Sequence, residues 1–502
     1  MRSLRRRRLE HALAPGVVVL LIAASCSSET DEVTTIGPTP AGTATTPATT
    51  PTTTATTAPT TSTSADAAPS ASAARPAGEA ARCTAPTAET PVVVWHALGN
   101  DSEQKLIELT DRFNGLGTGV TVALEKTGSY GATLALLADT PAADRPNAVL
   151  VDHRGIQDLA LSGLVVPPGA CDVDSGSLLP VIEATYTLNG ELLALPYNVS
   201  TPVLVFDETR FAAAGLDPAN PPLTLDELSS ASAQIVETGV APHGLVAWDG
   251  YGPWFITQFN SRRGELSARP DNGRSGELTT SVDFGRPEVV ESFEWLVDEV
   301  DSGRAVWIGG NASGVDDLFR LVADEDNAVM TLNTSGALGD LERLLTSGAF
   351  PGTELGAGPL PGPGTGALVG GGAWWLIEQP DPADVGATME FLSWLNAPEQ
   401  HAEFAAFTGF SPITSAELEQ PVLVDAWAEH PERRIAYDQL VDLPADIPRA
   451  GPVWGAGDDI NRVMHESMTA VVEGTPAVDQ LNRASERVTA LLDAYAFAVH
   501  NS

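Results

Sequence analysis

The chain has 502 residues, of which 43% are hydrophobic, and its formal net charge at pH 7 is −39. So acidic a protein repels the phosphate backbones of DNA and RNA, which argues against a nucleic acid partner. After the first 82 residues, whose composition is atypical, roughly 420 residues remain. At the usual size of protein domains, this length is enough for two domains.

The first 26 residues have the three zones of a secretory signal. Arginines occupy positions 5–8, an apolar stretch covers residues 12–24, and Ser25 and Cys26 follow. The stretch is shorter than the about 20 apolar residues of a membrane-spanning helix, so it predicts export. Because bacterial lipoproteins carry their lipid on a cysteine in this position, we expect residues 1–26 to be a lipoprotein signal peptide with Cys26 lipidated. The alternative is an ordinary cleaved signal with an incidental cysteine.

Residues 27–82 consist mainly of Thr, Pro, Ala and Ser. Such a composition buries too little apolar surface to offset the entropy of ordering, and proline favours extended chain. We expect a disordered tether that holds the folded part away from the outer face of the cell membrane.

Two cysteines, Cys83 and Cys171, follow Cys26. An exported protein is in an oxidising compartment, where a pair of cysteines is more often bridged than free. We expect a disulfide between them, because neither has the C-x-x-C spacing of a redox or zinc site.

The folded part opens with alternating strand and helix patterns. Residues 90–95 form an apolar run of strand length, and Asp101, three residues before Gln104, is expected to cap a helix. Further strands are predicted at 120–124 and 148–151, with a helix near 133–137 between them. This alternation is typical of an α/β fold with a parallel sheet.

Polar turns interrupt the apolar strands farther along the chain. Residues 191–206 predict two strands joined through residues 198–202, a candidate crossover between lobes, and a strand at 328–332 ends in the polar turn 333–336. Residues 366–376 place three consecutive glycines in a strand-like run, where a backbone approaches something closely or merely turns tightly. Helical patterns cover 225–237, 287–300, 316–323 and most of 382–499.

Catalytic signatures are missing from the sequence. It contains no G-x-S-x-G elbow, H-E-x-x-H pair, P-loop or G-x-G-x-x-G after a strand. We therefore expect no enzymatic activity, no metal and no cofactor. Aromatic residues instead cluster in or beside Gly- and Pro-rich segments: Tyr251, Trp254, Trp374, Trp375, Phe410 and Trp454. Aromatic faces beside polar groups suit sugars and polyols, although each aromatic residue taken alone is better explained by a core position.

Several segments, in order, resemble extracellular solute-binding family 1, and within it the proteins that bind glycerol 3-phosphate and glycerophosphodiesters. The matching segments are Val94-Trp95-His96, Asn198-Val199-Ser200-Thr201-Pro202, Ala214-Gly215-Leu216-Asp217-Pro218, Thr334-Ser335-Gly336, Gly370-Gly371-Gly372-Ala373 and Thr408-Gly409-Phe410-Ser411-Pro412. The resemblance covers nearly all of residues 90–495.

The resemblance implies a periplasmic-binding-protein-like type II fold, with two α/β lobes joined by a multi-crossover hinge. We expect lobe 1 to comprise residues 83–199 plus 334–371, and lobe 2 residues 200–333 plus 372–502. It implies the solute-binding component of an ABC importer, a monomer that captures a small sugar, polyol or glycerophosphodiester between its lobes and delivers it to permease subunits in the membrane. Alternatives from other classes are a secreted glycan hydrolase and a structural surface protein.

Motif positions carried over from the family identify candidate ligand contacts. They are Tyr130, Ser200, Tyr251, Trp254, Ser335, Gly371 and Phe410, together with His153 and its neighbour Asp152. The arginine that meets phosphate in the phosphate-binding relatives aligns here with Asp438. Because a carboxylate repels a phosphate monoester, we expect a neutral or zwitterionic ligand, a saccharide first and a glycerophosphodiester such as glycerophosphocholine second. The alternative is that Asp438 points to solvent and another group replaces the arginine.

Overall fold

A computed structural model describes residues 82–86, 89–173, 177–310, 315–323, 327–348 and 350–501. The expected signal peptide with Cys26, and the expected tether up to residue 81, lie outside the described residues. In the part of the chain that is described, no helix combines the length and the apolar character needed to cross a membrane.

The strands, in chain order, are β1 (Thr90–His96), β2 (Val120–Lys126), β3 (Ala148–Asp152), β4 (Val165–Val166), β5 (Thr187–Leu188), β6 (Glu191–Leu192), β7 (Leu195–Ser200), β8 (Pro202–Asp207), β9 (Leu245–Ala247), β10 (Ala268–Arg269), β11 (Ser281–Val282), β12 (Ala305–Trp307), β13 (Met330–Thr334), β14 (Leu355–Pro359) and β15 (Gly370–Ile377). The α-helices are α1 (Asn100–Gly115), α2 (Tyr130–Asp139), α3 (Ile156–Leu161), α4 (Pro180–Thr185), α5 (Glu208–Ala213), α6 (Leu225–Thr238), α7 (Tyr251–Arg262), α8 (Pro287–Asp301), α9 (Val315–Ala323), α10 (Leu338–Thr346), α11 (Pro382–Leu395), α12 (Pro398–Thr408), α13 (Pro421–Glu429), α14 (Ile435–Asp438), α15 (Ile447–Ala450), α16 (Gly457–Val472) and α17 (Ala477–Asn501).

The first lobe is built on a sheet with strand order β2-β1-β3-β15-β4, in which β15 also pairs with β7. Strands β1, β2 and β3 are parallel, and β15 runs antiparallel to its partners. Side chains of β3 alternate between two cores, with Val149 and Val151 on one face and Ala148 and Leu150 on the other. Because both faces are covered, residues 148–151 of the strand are all apolar, as the sequence pattern indicated.

The second lobe is built on a sheet with strand order β12-β9-β13-β8-β14. Its β8 is antiparallel to β13 and β14, whereas β9 is parallel to β12 and β13. Helices α7, α8, α16 and α17 contribute buried side chains to the core that includes Leu204 and Leu332. A second core, which includes Val203 and Val205, is completed by α9 and α10.

The chain passes between the two sheets several times. Thr201 alone separates β7 of the first sheet from β8 of the second, and residues 360–369 lead back from β14 to β15. The Ser335 N–H donates to the Thr201 carbonyl oxygen (2.8 Å), and the Thr201 N–H donates to the Ser335 hydroxyl oxygen (3.0 Å). The expected architecture of two α/β lobes joined by several crossovers is confirmed.

The lobe boundaries differ from the expected ones. Residues 334–371 were assigned to lobe 1, yet β14 within them pairs with β8 in the second sheet. Residues 372–502 were assigned to lobe 2, yet most of β15 pairs within the first sheet, and α11 and α12 supply buried side chains such as Phe391 and Phe404 to a first-lobe core. The change of lobe therefore occurs between β14 and β15, and again shortly before α16, because Ile413 and Val453 still pack in a first-lobe core.

Two expectations about the start of the folded part have opposite outcomes. Cys83 and Cys171 form a disulfide, as predicted. Asp101, in contrast, does not cap α1, which has Gly99 at its N-cap without a side-chain hydrogen bond. Asp101 forms an ion pair with Arg343 of α10 instead. The cap prediction was wrong because a tertiary partner holds the carboxylate.

Candidate functional site

A cavity of about 420 Å³ lies between the two lobes and is called the cleft below. The first lobe contributes residues at one end of its sheet, from β3, β7 and β15, and the second lobe contributes the first turns of α7 and α16 and the loop before α16. The lining residues used below are Asp152, His153, Arg154, Ser200, Gly370, Gly371, Trp248, Trp254, Gln258, Trp454, Gly457, Asn461 and His465.

Three successive lining residues, Asp152, His153 and Arg154, stand at the end of β3. Asp152 accepts hydrogen bonds from the Arg154 N–H (3.2 Å) and from Arg154 Nε (2.7 Å), so this carboxylate fixes the turn and the guanidinium together. Burial disfavours charge on Arg154, but the Asp152 and Asp458 carboxylates outweigh it and raise the pKa of Arg154. Burial lowers the pKa of His153, so the imidazole is neutral near pH 7.

Ser200 ends β7, and Gly370 and Gly371 begin β15 beside it. Gly371 has φ +81°, and a Cβ there would lie 1.8 Å from the Asn198 carbonyl oxygen. Only glycine fits this position, because the left-handed backbone and the close pairing of β15 with β7 both exclude a side chain. The glycine run thus serves strand packing at the cleft surface.

The second lobe presents indole rings to the cleft. Trp248 follows β9, and Trp254 lies in the first turn of α7 with its ring 6.0 Å from that of Trp248 in a T-shaped arrangement. Trp454 comes from the loop before α16 and is buried, yet lines the cavity. Aromatic faces of this kind supply apolar contact area for C–H groups and for cations.

A buried arginine supports the loop that carries Trp454. Arg274 Nε donates to the Gly451 carbonyl oxygen (2.8 Å), Nη2 donates to that of Ala450, and Nη1 donates to that of Thr185 (2.7 Å). Burial lowers the pKa of Arg274 to about 9. Its backbone partners come from the end of α4 and from the loop before α16, so Arg274 fixes the loop and adds positive potential near His153.

Two buried polar atoms at the cleft have no hydrogen-bond partner among the described residues, His153 Nδ1 and Trp248 Nε1. One belongs to each lobe, and both side chains line the cavity. Buried polar groups in folded proteins are normally hydrogen-bonded, so each such atom calls for an explanation. A ligand with hydroxyl groups can both donate and accept hydrogen bonds, which suits a lining that contains imidazole and indole groups.

Half of the ten predicted ligand-contact residues line the cleft. They are Asp152, His153, Ser200, Trp254 and Gly371.

Tyr130 and Tyr251 lie one layer behind the cleft surface. The Tyr130 hydroxyl accepts a hydrogen bond from Asn198 Nδ2 (2.8 Å) and so supports the strand beside Gly371. The Tyr251 hydroxyl donates to the Val246 carbonyl oxygen (2.6 Å) and accepts from the Leu332 N–H (2.9 Å), which places this side chain in the second-lobe core.

Three further predicted residues do not line the cleft. Ser335 is buried in the crossover hydrogen bonds with Thr201, and Phe410 stacks on Phe404 with ring centroids 5.7 Å apart. The Asp438 side chain is 52% exposed and forms an ion pair with Arg434 (3.0 Å). Asp438 faces solvent outside the cleft, so the prediction that its carboxylate meets the ligand is wrong.

Sequence reasoning missed several lining residues. Arg154 and Trp248 each follow a buried strand, at positions where ligands commonly bind in α/β sheets. Gly457, Asn461 and His465 recur every four residues along α16 and thus share one helix face. Strand ends and helix periodicity are the signals that could have identified them.

One group of side chains elsewhere has the composition of a metal site, namely Glu342, His430 and Glu432. Glu342, however, already forms an ion pair with Arg433. Burial and the neighbouring Glu342 carboxyl raise the pKa of Glu432 to about 8. None of these three residues lines the cleft, and Arg433 already pairs with the Glu342 carboxylate.

Comparison with known proteins agrees with the two-lobed architecture. Residues 108–434 match the sequence profile described as bacterial extracellular solute-binding protein. The chain is 27% identical over 422 residues to the sn-glycerol-3-phosphate-binding periplasmic protein UgpB of Pectobacterium atrosepticum, covering 81% of this chain and 92% of that protein. The UgpB protein of Salmonella typhimurium is 25% identical over 422 residues, with 81% and 93% covered.

Solved structures share the fold at lower sequence identity. UgpB from Mycobacterium tuberculosis, in complex with glycerophosphocholine, superposes with a TM-score of 0.65 at 20% identity, covering 81% of this chain and 99% of that one. The GacH receptor of Streptomyces glaucescens, solved unliganded and with acarbose, has a TM-score of 0.64 at 19% identity, with 80% and 98% covered. These likenesses establish a common two-lobed binding-protein fold.

Proposed function

Because the chain belongs to the bacterial extracellular solute-binding protein family, we propose that it captures a small hydroxyl-bearing solute in the cleft and delivers it to the membrane permease of an ABC importer. The observation that carries this proposal is the cavity of about 420 Å³ between the lobes, with indole rings from one lobe and polar side chains from the other in its lining. A solute that bridges the two lobes gains contacts from both, and its binding would favour their closed arrangement.

The remaining lining suits a saccharide or polyol. Trp248, Trp254 and Trp454 offer apolar faces, while Ser200 and Asn461 offer hydroxyl and amide groups. The volume of about 420 Å³ falls within the range of about 300–1,000 Å³ that small-molecule sites occupy. Flat apolar faces opposite hydrogen-bonding groups match the C–H faces and hydroxyl edges of sugars.

A glycerophosphodiester is the second candidate, because Arg154 lines the cleft together with the indole rings. A guanidinium binds phosphate oxygens through charge-assisted hydrogen bonds, and indole faces attract a cationic head group. Two relatives named above bind sn-glycerol 3-phosphate, and a structural neighbour was solved with glycerophosphocholine.

The lining also supports binding over hydrolysis. Most glycoside hydrolases need a pair of carboxyl groups at the reacting bond. Within the described residues that line the cleft, Asp152 is the single carboxylate, and it is engaged by Arg154. A secreted glycan hydrolase is therefore the weaker alternative.

We also propose that the protein acts as a monomer anchored to the outer face of the cell membrane by a lipid on Cys26. The sequence zones at residues 1–26 and the composition of residues 27–82 support the anchor and the tether. Replacing Cys26 with Ala should release the protein into the medium. A Cys26→Ala protein that fractionates with membranes as before would contradict the anchor.

Calorimetry of the chain from residue 82 onward with mono- and oligosaccharides, polyols, glycerophosphocholine and glycerol 3-phosphate tests the binding proposal. A ligand at 100 times its dissociation constant stabilises the folded state by about 2.7 kcal/mol, so thermal shift can screen the panel first. We expect saturable one-to-one binding of at least one compound without turnover. Conversion of a bound glycan to products would support the hydrolase, and no ligand-dependent shift at all would support a structural surface protein.

A further inference from the structure

Arg154 is the only arginine or lysine among the described residues that line the cleft, and it pairs with a carboxylate from each lobe. Arg154 Nε lies 2.7 Å from Oδ2 of Asp152 in the first lobe, and Arg154 Nη1 lies 3.0 Å from Oδ1 of Asp458 in α16 of the second lobe. The Asp152 side chain is 9% exposed, whereas that of Asp458 is 55% exposed. Asp458 is therefore the partner that can be displaced from the guanidinium.

The Asp458 carboxylate also occupies a second position that favours an anion. A Cβ on Gly131 would lie only 2.2 Å from Asp458 Oδ2, so the carboxylate sits directly against the first turn of α2. The N-terminus of a helix carries partial positive charge from its peptide dipoles. The first lobe thus forms an anion-favouring corner from Arg154 and the start of α2, and the second lobe fills it with its own carboxylate.

We propose that Asp458 sets the charge selectivity of the cleft as a resident anion that competes with anionic ligands for Arg154. The inference rests on the proposed function, and it specifies neutral or zwitterionic solutes as the preferred class. A phosphate monoester must displace Asp458 from the guanidinium or accept its repulsion, and either route costs affinity. A neutral saccharide can accept a hydrogen bond from the guanidinium while Asp458 stays in place.

Isothermal calorimetry of native protein and Asp458→Asn with glycerol 3-phosphate tests the inference. We expect the variant to bind this dianion roughly tenfold more tightly, because the competing charge is gone while a hydrogen-bonding oxygen remains. Affinity for a neutral ligand found in the panel should change by less than about twofold. The gain should shrink as salt is raised, because added ions screen the attraction between Arg154 and phosphate.

Matched variants separate this local effect from a change in overall charge. Asp459→Asn removes the same charge from the next residue of α16, where the carboxylate pairs with Arg462, and it should leave binding of glycerol 3-phosphate unchanged. Asp438→Arg adds positive charge outside the cleft and should also have no effect. Gly131→Ala crowds the Asp458 carboxylate from the opposite lobe, so it should give a smaller gain in affinity for glycerol 3-phosphate. This variant provides the test if Asp458→Asn does not fold.

The melting temperature first shows that native protein and Asp458→Asn are both folded. If the two then bind glycerol 3-phosphate with equal affinity, the inference is overturned, whatever their affinities for neutral ligands. An equal gain in Asp459→Asn overturns it as well, because net charge alone would then explain the change. The proposed function fails separately, if native protein binds no sugar, polyol or glycerophosphodiester. That outcome is distinguishable, because it is measured without any variant.

Discussion

The two lobes line the same cleft with different chemistry. In the first lobe, the ends of β3, β7 and β15 present the charged and polar groups of residues 152–154, Ser200 and the backbone at Gly371. In the second lobe, α7 and the loop before α16 present Trp254 and Trp454. Polar groups on paired strands have fixed directions, whereas indole faces accept many apolar surfaces in similar orientations. The difference assigns the directional hydrogen bonds mainly to the first lobe and the apolar contact area mainly to the second, while Asp458 of the second lobe acts on ligand charge through Arg154 of the first.

The largest expected effect comes from the second lobe. Replacing Trp254 with Ala should weaken binding of every accepted ligand by roughly 30-fold, the size of loss typical of a buried aromatic anchor. The matched control is Trp307→Ala, because Trp307 is also half-buried against the second-lobe core but does not line the cleft. Calorimetry on both variants provides the measurement. Equal losses in the two variants would mean that stability, not contact with the ligand, causes the effect.

A smaller effect should follow from holding the lobes apart. A Cβ on Gly457 would lie 2.7 Å from the Arg154 carbonyl oxygen of the opposite lobe, where backbone cannot move aside easily. Gly457→Ala should therefore weaken binding by roughly tenfold while preserving the order of ligand preference. Gly115→Ala is the control, since nothing lies within 4 Å of the added carbon. A changed order of preference would contradict the division of roles between the lobes.

The smallest effect concerns pH and the first lobe. Burial lowers the pKa of His153, with Arg154 and Arg274 adding to that direction and Asp152 opposing it. The folded state therefore binds fewer protons than the unfolded state, so His153 reduces stability as pH falls below about 6.5, its ordinary pKa. The melting temperature of native protein should fall more than that of His153→Gln between pH 7.5 and pH 5.5. Parallel curves for the two proteins would show that folding does not lower the pKa of His153.

Much of the fold follows from the sequence pattern. The apolar run at residues 148–151 becomes β3, and the polar interruption at 198–202 becomes the crossover at Thr201. Both features depend on local hydrophobic periodicity, which single sequences display well. The lobe boundaries were harder to predict, because the pairing of β15 with β3 and β7 is a long-range contact that no local pattern encodes.

The candidate site was predictable only in part. Tyr251 and Trp254 stand three residues apart in an aromatic segment, yet Tyr251 satisfies its hydroxyl inside the core while Trp254 reaches the cleft. Which of the two would face inward depends on how α7 packs on its sheet. The direction of Asp438 depends on Arg434 one helical turn earlier, which an alignment position does not reveal. Asp152 and Ser200 were predicted from motif positions carried over from the family, and both reach the cleft because each stands at the end of its strand.

Hydrogen–deuterium exchange with and without a ligand from the panel tests most directly whether a solute is bound between the lobes. We expect saturating ligand to slow exchange on both sides of the cleft at once, around residues 152–156 of the first lobe and around residues 248–258 and 450–461. Slower exchange confined to one lobe, or centred on the separate surface cavity beside Phe407 and Val422, would contradict it.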